Sequence, residues 1–265
     1  GGGTYGNVFQ RVTQDALGAP VCISAGGCQC YLPADCAGQW MRGGSNNRHE
    51  GNNAREMWNA WNPTMEAVVL WGAQTSASGA AYAARANADM RERGIKTIVV
   101  DPYFTEEAAK ADIWLPVRPM SDIAMLLGWF NYIISNNLYD EEFCKYWTNY
   151  PFLINPETRL PWRAEEVWPD YVNPSADPNG VYDTPAFVCF DARTNSIQPF
   201  PFTLPENSPV DPVVFTTAVV NGVECPTAGQ IQWQEAEPWT LKKTAEVTWV
   251  DADRIEDAVK LYATT

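Results

Sequence analysis

From Met65 to Asp122 the apolar positions gather into short runs, and each run ends in a loop of polar residues. Ala67-Val68-Val69-Leu70-Trp71 predicts a strand, followed by the turn Gly72-Ala73-Gln74-Thr75-Ser76 and an alanine-rich helix from Ala77 to Arg93. Gly94 is placed to cap that helix. A second strand, Thr97-Ile98-Val99-Val100, then ends on Asp101-Pro102. The two strand ends are about thirty residues apart, the span of a βαβ unit. The segment Ile113 to Pro119 begins a third unit and leads through Ser121-Asp122 to an amphipathic helix from Ile123 to Asn136. Repeated βα order predicts an α/β fold with a parallel, Rossmann-like sheet, flanking helices and right-handed crossovers.

The pattern changes near Tyr150. Residues 151–265 hold most of the prolines, a strand-like Ala186 to Asp191, a hairpin from Val213 to Glu224 around Asn221-Gly222, and a closing helix from Asp251 to Tyr262. We therefore expect an α/β part over residues 1–150 and a proline-rich, irregular part with a β-hairpin over 151–265. Both are expected to pack in one domain. The proline-rich part would cover the sheet's surroundings or line a funnel.

In a parallel sheet of this kind, ligands lie outside the carboxyl ends of the strands, where Gly72, Gln74, Thr75, Asp101, Arg118 and Asp122 all fall. Each suits one part of a nucleotide. A turn at Gly72 lets backbone amides and a helix N-terminus approach a phosphate. Asp101, ending the second strand, is placed to accept from ribose hydroxyls. The two carboxylate oxygens of Asp122 can accept from adjacent N–H donors on one guanine edge. Taken singly, Thr75, Ser121 and Asp122 are equally the residues that cap helices.

These residues also carry a resemblance. Lys96-Thr97-Ile98-Val99-Val100-Asp101-Pro102, then Thr105, Ala111-Asp112 and Arg118-Pro119-Met120-Ser121-Asp122-Ile123-Ala124 are similar in order and spacing to the molybdopterin oxidoreductase family typified by dimethyl sulfoxide reductase. Leu138 to Phe143, Val250 to Glu256 and Leu261-Tyr262-Ala263 extend the likeness. Val219 to Glu224 resembles the acetylene hydratase, pyrogallol transhydroxylase and catechol dehydroxylase side of the family. There are departures: Tyr103 stands where the family usually has Arg, Met120-Ser121 where it has Gly-Thr, and Gln74-Thr75 where it commonly has Asn-Pro.

The resemblance implies a catalytic subunit with a molybdenum or tungsten bis-(molybdopterin guanine dinucleotide) cofactor, working by redox, hydroxyl or oxygen-atom transfer. It further implies an iron-sulfur electron-transfer partner, a small-molecule substrate, and a bacterial setting, cytoplasmic or exported to the cell envelope. Family subunits are several times longer and carry a [4Fe-4S] motif further toward the N-terminus. The chain is accordingly expected to be a fragment, inactive alone, that relies on the rest of the subunit.

Cys22, Cys28, Cys30 and Cys36 cluster within fifteen residues. In the resemblance, Asp35-Cys36-Ala37-Gly38-Gln39 aligns with the segment bearing the metal ligand, which makes Cys36 the candidate and Asp35 and Cys30 the alternatives. A thiolate is a soft donor suited to such a metal. A structural zinc or iron-sulfur site remains the rival reading, although the spacing is not the paired C-x2-C arrangement. Buried, unreacted thiols are a third. His49, the one histidine, lies in the following polar loop and is a candidate for proton transfer or simply an exposed side chain. Trp40, Trp58, Trp61 and Trp71 would form a substrate pocket or ordinary core.

Composition limits the alternatives. With 46% hydrophobic residues and twelve Trp there is material for a sizeable core. No apolar run reaches the ~18 residues of a membrane span. A net charge of -14 argues against nucleic acid, which needs clustered Lys and Arg. It also leaves an anionic cofactor to be held by local amides and single cations such as Arg118. Seven cysteines cannot all pair internally, so a reduced setting or a metal role is favoured over a disulfide scaffold.

Overall fold

The computed structural model describes residues 12–19, 64–78, 81–176, 185–201 and 203–264. They fall in two compact units, residues 12–19, 64–65 and 75–95 in one, 66–74 and 96–264 in the other.

In the first unit, the helix expected from Ala77 to Arg93 is two pieces, α1 (Thr75–Ser78) and α2 (Ala81–Glu92). The sequence at the junction, Ser76-Ala77-Ser78-Gly79, is rich in residues that favour caps and turns over helix interiors. Gly94 ends α2 at φ +81°, a left-handed position. There the Gly94 amide donates to the Arg91 carbonyl (2.9 Å) and the Ile95 amide to that of Met90 (3.0 Å), which satisfies carbonyls the helix leaves open.

The second unit is built on a parallel sheet of order β1-β2-β3, with β1 at Ala67–Trp71, β2 at Lys96–Val100 and β3 at Ile113–Leu115. Trp71 pairs with Val100, and Val100 with Leu115, so the three strands end level. β2 is buried on both faces from Thr97 to Val100, the signature of a central parallel strand. Against one face of the sheet pack α3 (Asp122–Ser135), through Met125 and Trp129, and the closing helix, through Ile255, Ala258 and Val259. Ile98, Leu115, Met125 and Ile255 are fully buried, each contributing on the order of 1.5–3 kcal/mol.

After α3, Asp140 caps α4 (Glu141–Tyr146) by accepting from the Phe143 amide at 2.8 Å. α5 (Ala164–Val167) precedes two antiparallel hairpins, β4 (Phe187–Asp191) with β5 (Ser196–Phe200), and β6 (Thr217–Val220) with β7 (Val223–Pro226). The second turns on Asn221 and Gly222, both at positive φ, as that dipeptide predicts. Three helices follow: α6 (Ala228–Ala236), α7 (Leu241–Thr248) and α8 (Ala252–Thr264). Among the described residues no helix is long and apolar enough to cross a membrane.

Asp191 holds the first hairpin to its surroundings. It is 1% exposed, and its carboxylate accepts from the amides of Asp211 (2.7 Å), Thr194 (3.1 Å) and Arg193 (3.3 Å) and from the Thr194 hydroxyl (2.8 Å). Burial opposes its charge, but these donors outweigh it and hold the carboxyl below the ordinary carboxylate value. A depressed native pKa gives stability that is complete above the unfolded value of about 3.9 and is lost as the pH falls through the native one. Denaturant unfolding should therefore show stability level at neutral pH and falling below about pH 4, with a shallower acid loss in Asp191→Asn.

Candidate functional site

Because the three strands end level, the residues that follow them form a row along one edge of the sheet, with neighbouring strands about 4.8 Å apart. The Gly72 amide donates to the Val100 carbonyl (2.9 Å) and the Asp101 amide to that of Leu115 (3.2 Å), which extends the ladder one residue beyond the strands. Gly72 sits at φ +57°, and a Cβ built there would meet nothing within 4 Å among the described residues. The turn therefore needs a left-handed backbone and leaves open space above it. Gln74 follows, half-buried, still within the second unit.

Asp101 is 9% exposed. One of its oxygens, Oδ1, accepts from the Tyr103 amide at 2.8 Å, and its carbonyl accepts from the Trp114 indole at 2.9 Å. Oδ2 has no partner among the described residues. Arg118 is fixed by its backbone, whose amide donates to the Thr248 carbonyl (2.8 Å). Its guanidinium lies 5.2 Å from the centroid of the Trp249 ring and makes no ion pair among the described residues.

Asp122 is the first residue of α3, where the helix dipole favours a carboxylate. Ser121 precedes it without capping the helix, because its hydroxyl donates instead to the Arg118 carbonyl at 2.6 Å. Met120, wholly exposed, takes φ +67° where the resemblance leads one to expect Gly. The Trp71 indole donates to Asp122 Oδ1 at 2.8 Å, reaching from the end of β1 across the sheet to the start of α3. Trp71 also packs edge-to-face on Trp129, so it is partly core and partly site.

The structure thus brings Gly72, Gln74, Asp101, Arg118 and Asp122 to one edge of the second unit. Thr75 belongs to the first unit, where it starts α1 and its hydroxyl accepts from Asn87 at 2.7 Å. α1 has only four residues, too few for much of the N-terminal dipole expected at a phosphate. Cys22, Cys28, Cys30, Asp35, Cys36 and His49, with Trp40, Trp58 and Trp61, lie outside the described residues. Of the other cysteines, Cys189 is fully buried, and burial pushes its thiol up to about 12, too high for a thiolate ligand at neutral pH. Sequence reasoning did not single out Glu107, which is 2% exposed in a short turn after Asp101. In sequence it reads as an ordinary exposed acid beside Glu106.

Residues 28–243 match the family model for molybdopterin oxidoreductases. The chain belongs to that family. Among curated relatives, it is 29% identical over 202 residues to a Halobacterium salinarum protein that bears the name of a dimethyl sulfoxide reductase catalytic chain, covering 75% of this chain and 22% of that protein. It is 52% identical over 56 residues to the acetylene hydratase of Syntrophotalea acetylenica (21% of this chain, 8% of that protein). It is also 40% identical over 86 residues to a dopamine dehydroxylase of Eggerthella lenta (32% and 8%). The chain thus spans about a fifth or less of the length of these relatives. The solved acetylene hydratase from Pelobacter acetylenicus superposes with a TM-score of 0.40 at 20% identity, covering 83% of this chain and 21% of that structure. Membership of the family implies a molybdenum or tungsten pterin cofactor. The edge of the sheet has the chemistry to hold a polar, anionic group of such a cofactor, with carboxylate oxygens of Asp101 and Asp122 that have no partner among the described residues, the turn at Gly72 and a cation at Arg118.

Proposed function

We propose that this molybdopterin oxidoreductase chain is part of the catalytic subunit of a molybdenum or tungsten enzyme. In this reading the edge formed by Gly72, Gln74, Asp101, Arg118 and Asp122 holds the guanosine end of a bis-(molybdopterin guanine dinucleotide) cofactor. The observation that carries this reading is the alignment, at one strand-end row, of two carboxylates each with an oxygen that has no partner among the described residues, in a chain of a family that implies a pterin cofactor. Asp101 would accept from ribose hydroxyls, and Asp122 from the adjacent N–H groups of guanine. Arg118 would neutralise part of the phosphate charge, which the chain's overall -14 does nothing to attract.

The bound metal supplies redox, hydroxyl or oxygen-atom transfer; Cys36 would be its protein ligand and His49 a proton donor or acceptor near it. A [4Fe-4S] cluster and an electron-transfer subunit would complete the enzyme, in the cytoplasm or the cell envelope. Since the chain is a small share of its relatives' length, turnover belongs to the larger polypeptide and not to these 265 residues alone.

The test is elemental and guanine-nucleotide analysis of the full-length polypeptide containing this segment, purified without oxygen and acid-denatured. Molybdenum or tungsten with about two guanine nucleotides per metal supports the reading. Stoichiometric zinc or iron without guanine nucleotide would instead favour a non-catalytic domain with a structural cysteine site.

A further inference from the structure

We propose that Trp71 positions Asp122 for its ligand, the indole N–H holding Oδ1 so that the carboxylate presents Oδ2, and the remaining lone pair of Oδ1, to paired donors. This rests on the reading of Asp122 as the guanine-binding residue. The observation behind it is a bond between residues 51 apart in sequence, 2.8 Å from Nε1 to Oδ1, and the only hydrogen bond of the Asp122 carboxylate among the described residues.

An aspartate at the first position of a helix has no backbone partner that fixes its carboxylate, and rotation about its terminal torsion is broad. Binding a planar, two-donor edge would require that rotation to be frozen. Trp71 freezes it beforehand. An indole nitrogen carries a donor and no acceptor, so Oδ1 meets it as an acceptor, and a carboxylate is an acceptor at both oxygens. A purine edge that pairs an acceptor with a donor would meet one repulsive contact there, whereas guanine's adjacent N–H groups meet none.

The anchor is itself rigid. Trp71 ends β1, whose backbone is laddered to β2, and its ring packs on Trp129 at a centroid distance of 5.6 Å with the planes at 67°. Trp129 in turn lies 5.5 Å from Tyr262 of α8. The donor is therefore held by the core and not by a mobile surface side chain. Phenylalanine at position 71 would keep much of the ring packing and lose only the N–H.

The experiment uses the full-length polypeptide loaded with its own cofactor, comparing guanine nucleotide retained per polypeptide and melting temperature. The variants are Trp71→Phe, Trp129→Phe, Asp122→Ala and the double variant Trp71→Phe/Asp122→Ala. Trp71→Phe is expected to lower retained nucleotide roughly tenfold, the low end of what a hydrogen bond to a charged group contributes. In the Asp122→Ala background it should lower retention no further, the non-additivity that marks two residues acting through one contact. Trp129→Phe, which removes an indole from the same cluster that makes no hydrogen bond to Asp122, should retain nucleotide at the wild-type level. If Trp71→Phe retains the wild-type amount, acts additively with Asp122→Ala, or matches the loss in Trp129→Phe, Trp71 is only a packing residue and the inference fails while the guanosine site stands. If Asp122→Ala itself retains all its nucleotide, the reading of the site fails and the inference falls with it.

Discussion

The full-length polypeptide carrying Asp122→Ala should retain roughly a hundredfold less guanine nucleotide than wild type, about 2.7 kcal/mol, the loss expected when a charged acceptor of two donors is removed. Its fold should survive. Asp122 is only half-buried, and its replacement gives up one indole hydrogen bond and a favourable charge at a helix N-terminus, together about 1–2 kcal/mol. The two losses differ because the second carboxylate oxygen, without a partner among the described residues, contributes nothing to the folded chain and much to a bound edge. Guanine nucleotide per polypeptide and denaturant unfolding, measured on the same preparation, separate them. Parallel losses in both would make Asp122 a structural residue.

What the sequence made legible follows from range of interaction. Strands β1, β2 and β3 announced themselves because apolar, largely β-branched runs between Gly- and Pro-bearing loops have few other solutions. The Asn221-Gly222 turn was equally local, since left-handed φ at both positions selects those residues. The candidate row at the sheet edge followed from topology alone, because parallel strands put all their loops of one kind at one end. β5 stayed hidden, since Ser196-Ile197-Gln198-Pro199-Phe200 carries a proline that demotes a strand reading, and only pairing with β4 makes it one. α6 and α7 were missed for a related reason: their capping threonines, Thr227 and Thr240, sit in a region whose prolines had already marked it as irregular. The Trp71 to Asp122 bond could not be read at all. It depends on how α3 lies across β1, a tertiary fact for which one tryptophan among twelve gives no signal.

Gly128 is the sharpest case of a residue whose meaning is reversed by packing, and Gly128→Ala should destabilise the protein by about 2–3 kcal/mol. In the middle of α3 a glycine reads as a flaw, since alanine there would gain about 1 kcal/mol of helix propensity if the site were exposed. Instead α7 crosses at that point. A Cβ at Gly128 would lie 2.3 Å from Thr244 Oγ1, 2.8 Å from its Cγ2 and 3.0 Å from its Cβ, so rotating the threonine exchanges one clash for another. Thr244 is fully buried and its side chain is branched at the contact, which leaves movement of the helices as the remaining relief. Overpacking therefore outweighs propensity. The same geometry supplies its own rescue. The Thr244 hydroxyl is buried without a hydrogen-bond partner among the described residues, so truncating it to alanine removes the clashing atoms and an unsatisfied polar group together. Gly128→Ala/Thr244→Ala should thus recover most of the stability lost in Gly128→Ala, a positive coupling measurable by a double-mutant cycle in denaturant unfolding. Additive losses would mean that α3 and α7 do not meet at this contact.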